Sequence, residues 1–184
     1  LSTTDRSATR TALQSWSNVA NLSFREVSDN ESVVGDLRFA YATLDAAQAQ
    51  AYFPTESVKG GDVWFDRNGT SFTEEWTLGS YEYMTTVHEI GHAIGLKHPF
   101  EGSGYNNTVA GAAWDTRSFT VMSYSAKVGD TNTYFSFEPT TPMVLDILAI
   151  QQLYGENTSY NATDTTYTYS GTGGLAQSYS PFTL

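Results

Sequence analysis

The chain has 184 residues, 40% hydrophobic and 14% aromatic, enough apolar material for one packed domain and too much for a disordered chain. Its formal net charge of −11, from 20 Asp+Glu against 9 Lys+Arg, argues against nucleic-acid phosphates and anionic lipid as partners. Cysteine is absent, so neither a disulfide framework nor a thiolate metal site is available.

No apolar run approaches the roughly 20 residues that a membrane helix needs, so a soluble chain is expected. Leu1 is followed by no charged-then-apolar leader, and the sequence reads as a processed product or excised domain. Any targeting signal is then expected outside it. Secretion without cysteine is more typical of bacterial export than of eukaryotic secretion.

Along the chain, Thr4 to Ala20 reads as an amphipathic helix, with Ala8, Ala12, Leu13, Trp16 and Val19 at helical spacing. Leu22–Val27 and Asp36–Ala42 alternate as strands do. After an Ala/Gln stretch at Asp45–Ala51, Tyr52–Pro54 and Gly61–Asp66 are expected as further strands. Gly60-Gly61 marks a turn or a close backbone approach, and Asp66–Gly69 a second turn. Tyr81 to Leu96 is the second helix, and Pro99 to Trp114 a long surface loop. Pro142 to Tyr154 is the third, with Val144, Ile147, Leu148, Ile150 and Leu153 at helical spacing and Gly155 as its stop. From Glu156 onward Thr, Ser, Tyr, Asn and Gly dominate, so 156–184 reads as an extension or linker.

The chemistry is concentrated in His88-Glu89-Ile90-Gly91-His92-Ala93-Ile94-Gly95-Leu96-Lys97-His98. His88 and His92, four residues apart, project from one helical face and can reach a single ion at roughly 2.0–2.1 Å. Glu89 lies about 100° round the helix from His88, beside the metal, where it can accept a proton from activated water. Gly95 tolerates the left-handed turn that ends a helix and can swing His98 back as third ligand. Three imidazoles leave one coordination position open, as catalytic zinc requires. A lone histidine is more often packed than ligating, but all 3 histidines of the chain fall on this pattern.

This motif resembles that of the metzincin metalloproteases. Pro99 after His98 resembles the serralysin branch, and Thr120-Val121-Met122-Ser123-Tyr124 resembles the Met-turn. The resemblance implies that Met122 forms an apolar floor under the imidazoles. It also implies that Tyr124 ligates zinc at rest and moves aside to hydrogen-bond the reacting carbonyl. Trp16–Ala20 is similar to the end of the first helix of the family. Gly60–Phe65 is similar to its upper edge strand, so substrate would lie extended beside Gly61, Asp62, Val63 and Trp64. Pro142–Gly155 resembles the closing helix.

The chain also departs from that pattern. Leu145 stands where serralysins often carry a second acid, and Ser125 where they often carry Trp. Gly171–Gly174 lacks the aspartate of a calcium-binding repeat, and Thr163-Asp164-Thr165 only partly resembles the junction leading into one. Calcium is therefore left open as a second cofactor, without an intact repeat to support it.

The resemblance implies an α/β (α+β) fold: a twisted mixed sheet with two helices above a cleft, and a smaller, loop-rich lower subdomain. Residues 1–155 would form the catalytic domain, with 1–98 above the cleft and 99–155 below it. The expected activity is that of a secreted bacterial zinc endopeptidase, monomeric, acting on proteins or peptides and subject to a proteinaceous inhibitor. The alternatives are a self-cleaving processing domain of a larger exported protein and a catalytically weak, zinc-stabilised binding module.

Overall fold

Ser2 and Asp5 start the first helix by capping each other. The Asp5 N–H donates to Ser2 Oγ (3.1 Å) and the Ser2 N–H to the Asp5 carboxylate (2.8 Å). In the computed structural model, which describes residues 1–68, 72, 76–102, 106–130 and 133–164, this helix is α1, Thr3–Val19. Ala8, Thr9, Ala12, Ser15 and Trp16 recur every three or four residues and form its buried face. The Trp16 indole N–H donates to the Val87 carbonyl (3.2 Å), docking α1 on the second helix.

Three strands form one mixed sheet among the described residues: β1 (Arg38–Ala42), β2 (Ala49–Ala51) and β3 (Asp62–Asp66). Their order is β1-β3-β2, with β1 parallel and β2 antiparallel to β3. Gly61 leads into β3 at φ +80°, and a Cβ there would stand 2.3 Å from the Asp36 carbonyl oxygen. The expected close backbone approach is present. Val63 and Phe65 point into the core with Trp16, Val87 and Ile90, all fully buried.

The strand expectations need three corrections. Leu22–Val27 forms no strand, because its side chains are engaged and its backbone has no ladder partner among the described residues: Glu26 is held by Arg6 (2.5 Å) and Arg10 (2.7 Å) of α1. The strand placed at Tyr52–Pro54 lies earlier, at Ala49–Ala51. Tyr52 continues the pairing with Asp62 and Gly61 for one residue, and Pro54 has no N–H to extend it. Gly61, Asp62, Val63 and Trp64 are not on an edge: β3 is central, flanked on both sides by hydrogen-bonded strands, and β2 takes the edge.

Ser80 caps α2, Tyr81–Ala93, by accepting the Tyr83 N–H (3.1 Å). The third helix, α3, runs Val144–Tyr154 and ends at Gly155 with φ +82°. It is mostly apolar, yet only Asp146 and Ile150 are buried. The start and end of the described chain are clasped: Gln151 Nε2 donates to the Val19 carbonyl (2.8 Å) and Asn157 Nδ2 to that of Ser17 (2.6 Å). The α/β expectation therefore holds. Among the described residues no helix is long and apolar enough to cross a membrane. The Gly171–Gly174 stretch, Thr165, Gly69 and most of the 156–184 extension lie outside the described residues.

Candidate metal centre

Helix α2 carries His88 and His92 one turn apart, and the helix must then stop for a third ligand to return. The Leu96 N–H closes on the Gly91 carbonyl (2.8 Å) and the Gly95 N–H on that of His92 (2.9 Å). Gly95 sits at φ +110°, a conformation that side-chain-bearing residues rarely adopt. The chain reverses there and brings His98 Nε2 to 3.2 Å from that of His88 and 3.0 Å from that of His92.

The other ring nitrogens decide what these atoms are. His88 Nδ1 lies 2.7 Å from the Val121 carbonyl oxygen and His92 Nδ1 2.7 Å from that of Leu96. His98 Nδ1 lies 2.7 Å from the Glu101 carboxylate. Each acceptor draws the ring proton to Nδ1, which leaves three bare Nε2 lone pairs aimed at one point. Such lone pairs repel unless a cation sits among them. Tetrahedral zinc with ligands at about 2.0–2.1 Å would hold them about 3.3 Å apart, so the donor set fits that ion. Burial, followed by the neighbouring histidines, pushes the His88 pKa well below its usual value and that of His92 down to about 4. Both rings are thus in the neutral, ligating form at neutral pH.

Glu89 is buried at 6% exposure, and its Oε2 has no hydrogen-bond partner among the described residues. Burial pushes its pKa up to about 8. The Tyr124 ring lies against His98 (centroids 4.5 Å, edge-on) and His88 (5.8 Å, stacked), with its phenol pushed up to about 12, chiefly by burial. Met122 is buried, and its sulfur packs against α2 where a Cβ on Gly91 would come within 2.6 Å.

The structure thus brings His88, His92, His98, Glu89, Tyr124 and Met122 together. It does not bring Gly61–Trp64 to the site: Val63 is core, and Asp62 pairs with Arg38 (2.7 Å) on the sheet. Several contributors escape a motif reading. Glu101 stands on His98, and its place three residues after a ligand was a usable signal. Gly91 makes room for Met122. Asp146 accepts the Val121 N–H (2.8 Å), the Thr120 hydroxyl (2.5 Å) and the Met143 N–H (2.8 Å), tying α3 to the turn beneath the histidines. Phe53, just past β2, meets His92 edge-on at 5.6 Å. Beside His98, Phe53, Pro54, Val109, Leu145 and Leu153 border an apolar hollow of about 750 Å3.

Comparison with known proteins agrees with this geometry. The chain is 34% identical over 175 residues to the serralysin of Photorhabdus sp. (strain Az29), covering 88% of this chain and 35% of that protein. It is 35% identical over 175 residues to serralysin C of Dickeya chrysanthemi, with the same coverage of 88% and 35%. It is 38% identical over 181 residues to the metallopeptidase AprA of Pseudomonas marginalis, covering 89% and 36%. The chain therefore spans about a third of the length of these relatives. The sequence profile of the matrixins matches residues 2–104, which include α1, the sheet, α2 and all three histidines. This chain belongs to the matrixin family.

Proposed function

We propose that the chain is the catalytic portion of a secreted, zinc-dependent endopeptidase of serralysin type, with residues 1–155 as the working unit. One observation carries this reading: three convergent Nε2 atoms stand beside a buried carboxylate, Glu89, that no described residue satisfies. A structural zinc site would be closed by a fourth ligand, and a partnerless buried acid next to it would only cost stability.

His88, His92 and His98 would hold the ion. When bound, zinc supplies Lewis acidity that acidifies water and polarises a carbonyl. Glu89 acts as general base, taking the proton of the attacking water on a carboxylate oxygen and passing it to the leaving amine. Its burial keeps its proton affinity close to what transfer near neutral pH needs. The Tyr124 hydroxyl is the donor to the oxygen on which negative charge develops. Met122, wedged against Gly91, keeps the underside of the imidazoles dry. An extended peptide would pair with the outer edge of β2, and its main-chain hydrogen bonds would hold it without demanding particular side chains.

The test is hydrolysis of casein by the purified chain. Cleavage should stop with a zinc chelator and return when zinc is restored. A zinc-loaded, folded chain that leaves casein intact would sink this reading in favour of a binding module.

A further inference from the structure

We propose that Glu101 is a positioning residue for the third metal ligand, fixing the His98 ring and strengthening its Nε2 as a donor. The inference rests on the reading of the three imidazoles as a zinc site. It starts from an asymmetry. His88 and His92 stand on a helix, and each gives its Nδ1 proton to a neutral backbone carbonyl. His98 stands beyond the Gly95 turn, where no helix holds it, and it alone gives its Nδ1 proton to a carboxylate, at 2.7 Å.

The surrounding loop is built to present that carboxylate. Lys97 Nζ donates to the carbonyls of Glu101 and Thr108, both at 2.5 Å, and the Ala110 N–H closes the loop on the Pro99 carbonyl at 2.8 Å. Phe100 stacks on the His98 ring with centroids 5.1 Å apart and planes only 4° apart. One face of the imidazole is thus covered and its outer nitrogen is bound by an anion. A charge-assisted bond of this kind is roughly twice as strong as a neutral one. It also draws proton density along Nδ1–H and enriches the lone pair on Nε2. The Glu101 side chain is 53% exposed, so core packing does not account for its place.

The experiment measures zinc affinity of the whole chain by competition with a chromophoric chelator, for wild type, Glu101→Ala and Glu101→Gln. Glutamine keeps the length and an acceptor but removes the charge. Loss of an outer-shell partner typically weakens metal binding by about 10–100-fold, which is the expectation for Glu101→Ala, with Glu101→Gln in between. The visible spectrum of the cobalt-loaded protein should shift in the same order, while unfolding of the metal-free variants should match wild type. Variants that bind zinc within about threefold of wild type, well short of that range, would overturn the role of Glu101 alone. Affinity unchanged but metal-free stability lowered would overturn it too, leaving a loop-packing residue. Wild-type protein that takes up no zinc would overturn the reading of the site itself, and this inference with it.

Discussion

His88 Nδ1 and the carbonyl oxygen of Val121 lie 2.7 Å apart across 33 residues of sequence. The first histidine of the cluster is therefore held by the same turn that carries Met122. That turn is held in its own right, because the Val121 N–H and the Thr120 hydroxyl both end on Asp146 of α3. The orientation of His88 thus depends on a buried acid that bonds to the turn and to the start of α3.

Asp146 gives the fold a pH signature. Burial pushes its carboxyl from the usual 3.8 up to about 6, despite three hydrogen bonds to it. The folded state therefore holds a proton that the unfolded state releases. This contribution is fully present below about pH 4 and is lost as pH rises to about 6, roughly 3 kcal/mol for a two-unit shift. Chemical denaturation of metal-free wild type and Asp146→Asn across pH 4–7 should show their stability difference moving against wild type over that window. A flat difference would contradict the assignment.

Gly95→Ala should cost about 1–3 kcal/mol of stability through backbone strain at φ +110°. Space is not the cause, since a Cβ there meets nothing nearer than Leu153 at 3.5 Å. Because the strain falls between His92 and His98, zinc affinity should drop as well. Equilibrium unfolding and chelator competition on one protein sample would check both.

Glu89→Gln should retain zinc while kcat falls by about 10²–10⁴, the usual contribution of a general base. Stability should not fall. Burial disfavours the carboxylate, and the relief of that cost offsets the burial of the amide N–H donors. Wild-type turnover in a zinc-loaded variant would remove Glu89 from its proposed role.

Tyr124→Phe keeps the ring packed against His98 and removes only the hydroxyl. A kcat lower by about 10², with KM nearly unchanged, is expected for a donor to the developing oxyanion. A change confined to KM would assign Tyr124 to substrate binding instead.

The convergence of the three histidines was legible because its information is short-range. Four- and six-residue spacings and one glycine decide where three imidazoles go. The strand order was not legible in the same way. Ala49–Ala51 has little strand propensity, and only its pairing with β3 makes it the edge. Leu22–Val27 alternates well but finds ion pairs with α1 in place of a ladder. Buried acids were hidden for a related reason. A pattern reading puts charges on the surface, whereas Asp146 is buried by its backbone donors and Glu138 by Arg117 at 3.0 Å. The α3 periodicity gave a helix correctly, but not that Leu148 and Leu153 would stay exposed.

The clasp of Asn157 on Ser17 spans 140 residues, and that of Gln151 on Val19 spans 132. Contacts so distant along the chain are entropically late and slow to close. During synthesis α1 precedes α3, and it cannot acquire these native neighbours until Asn157 has been added. The ends of α3 and α1 thus lock together only after every element between them exists, which makes this clasp a seal on the finished fold and not a seed for it.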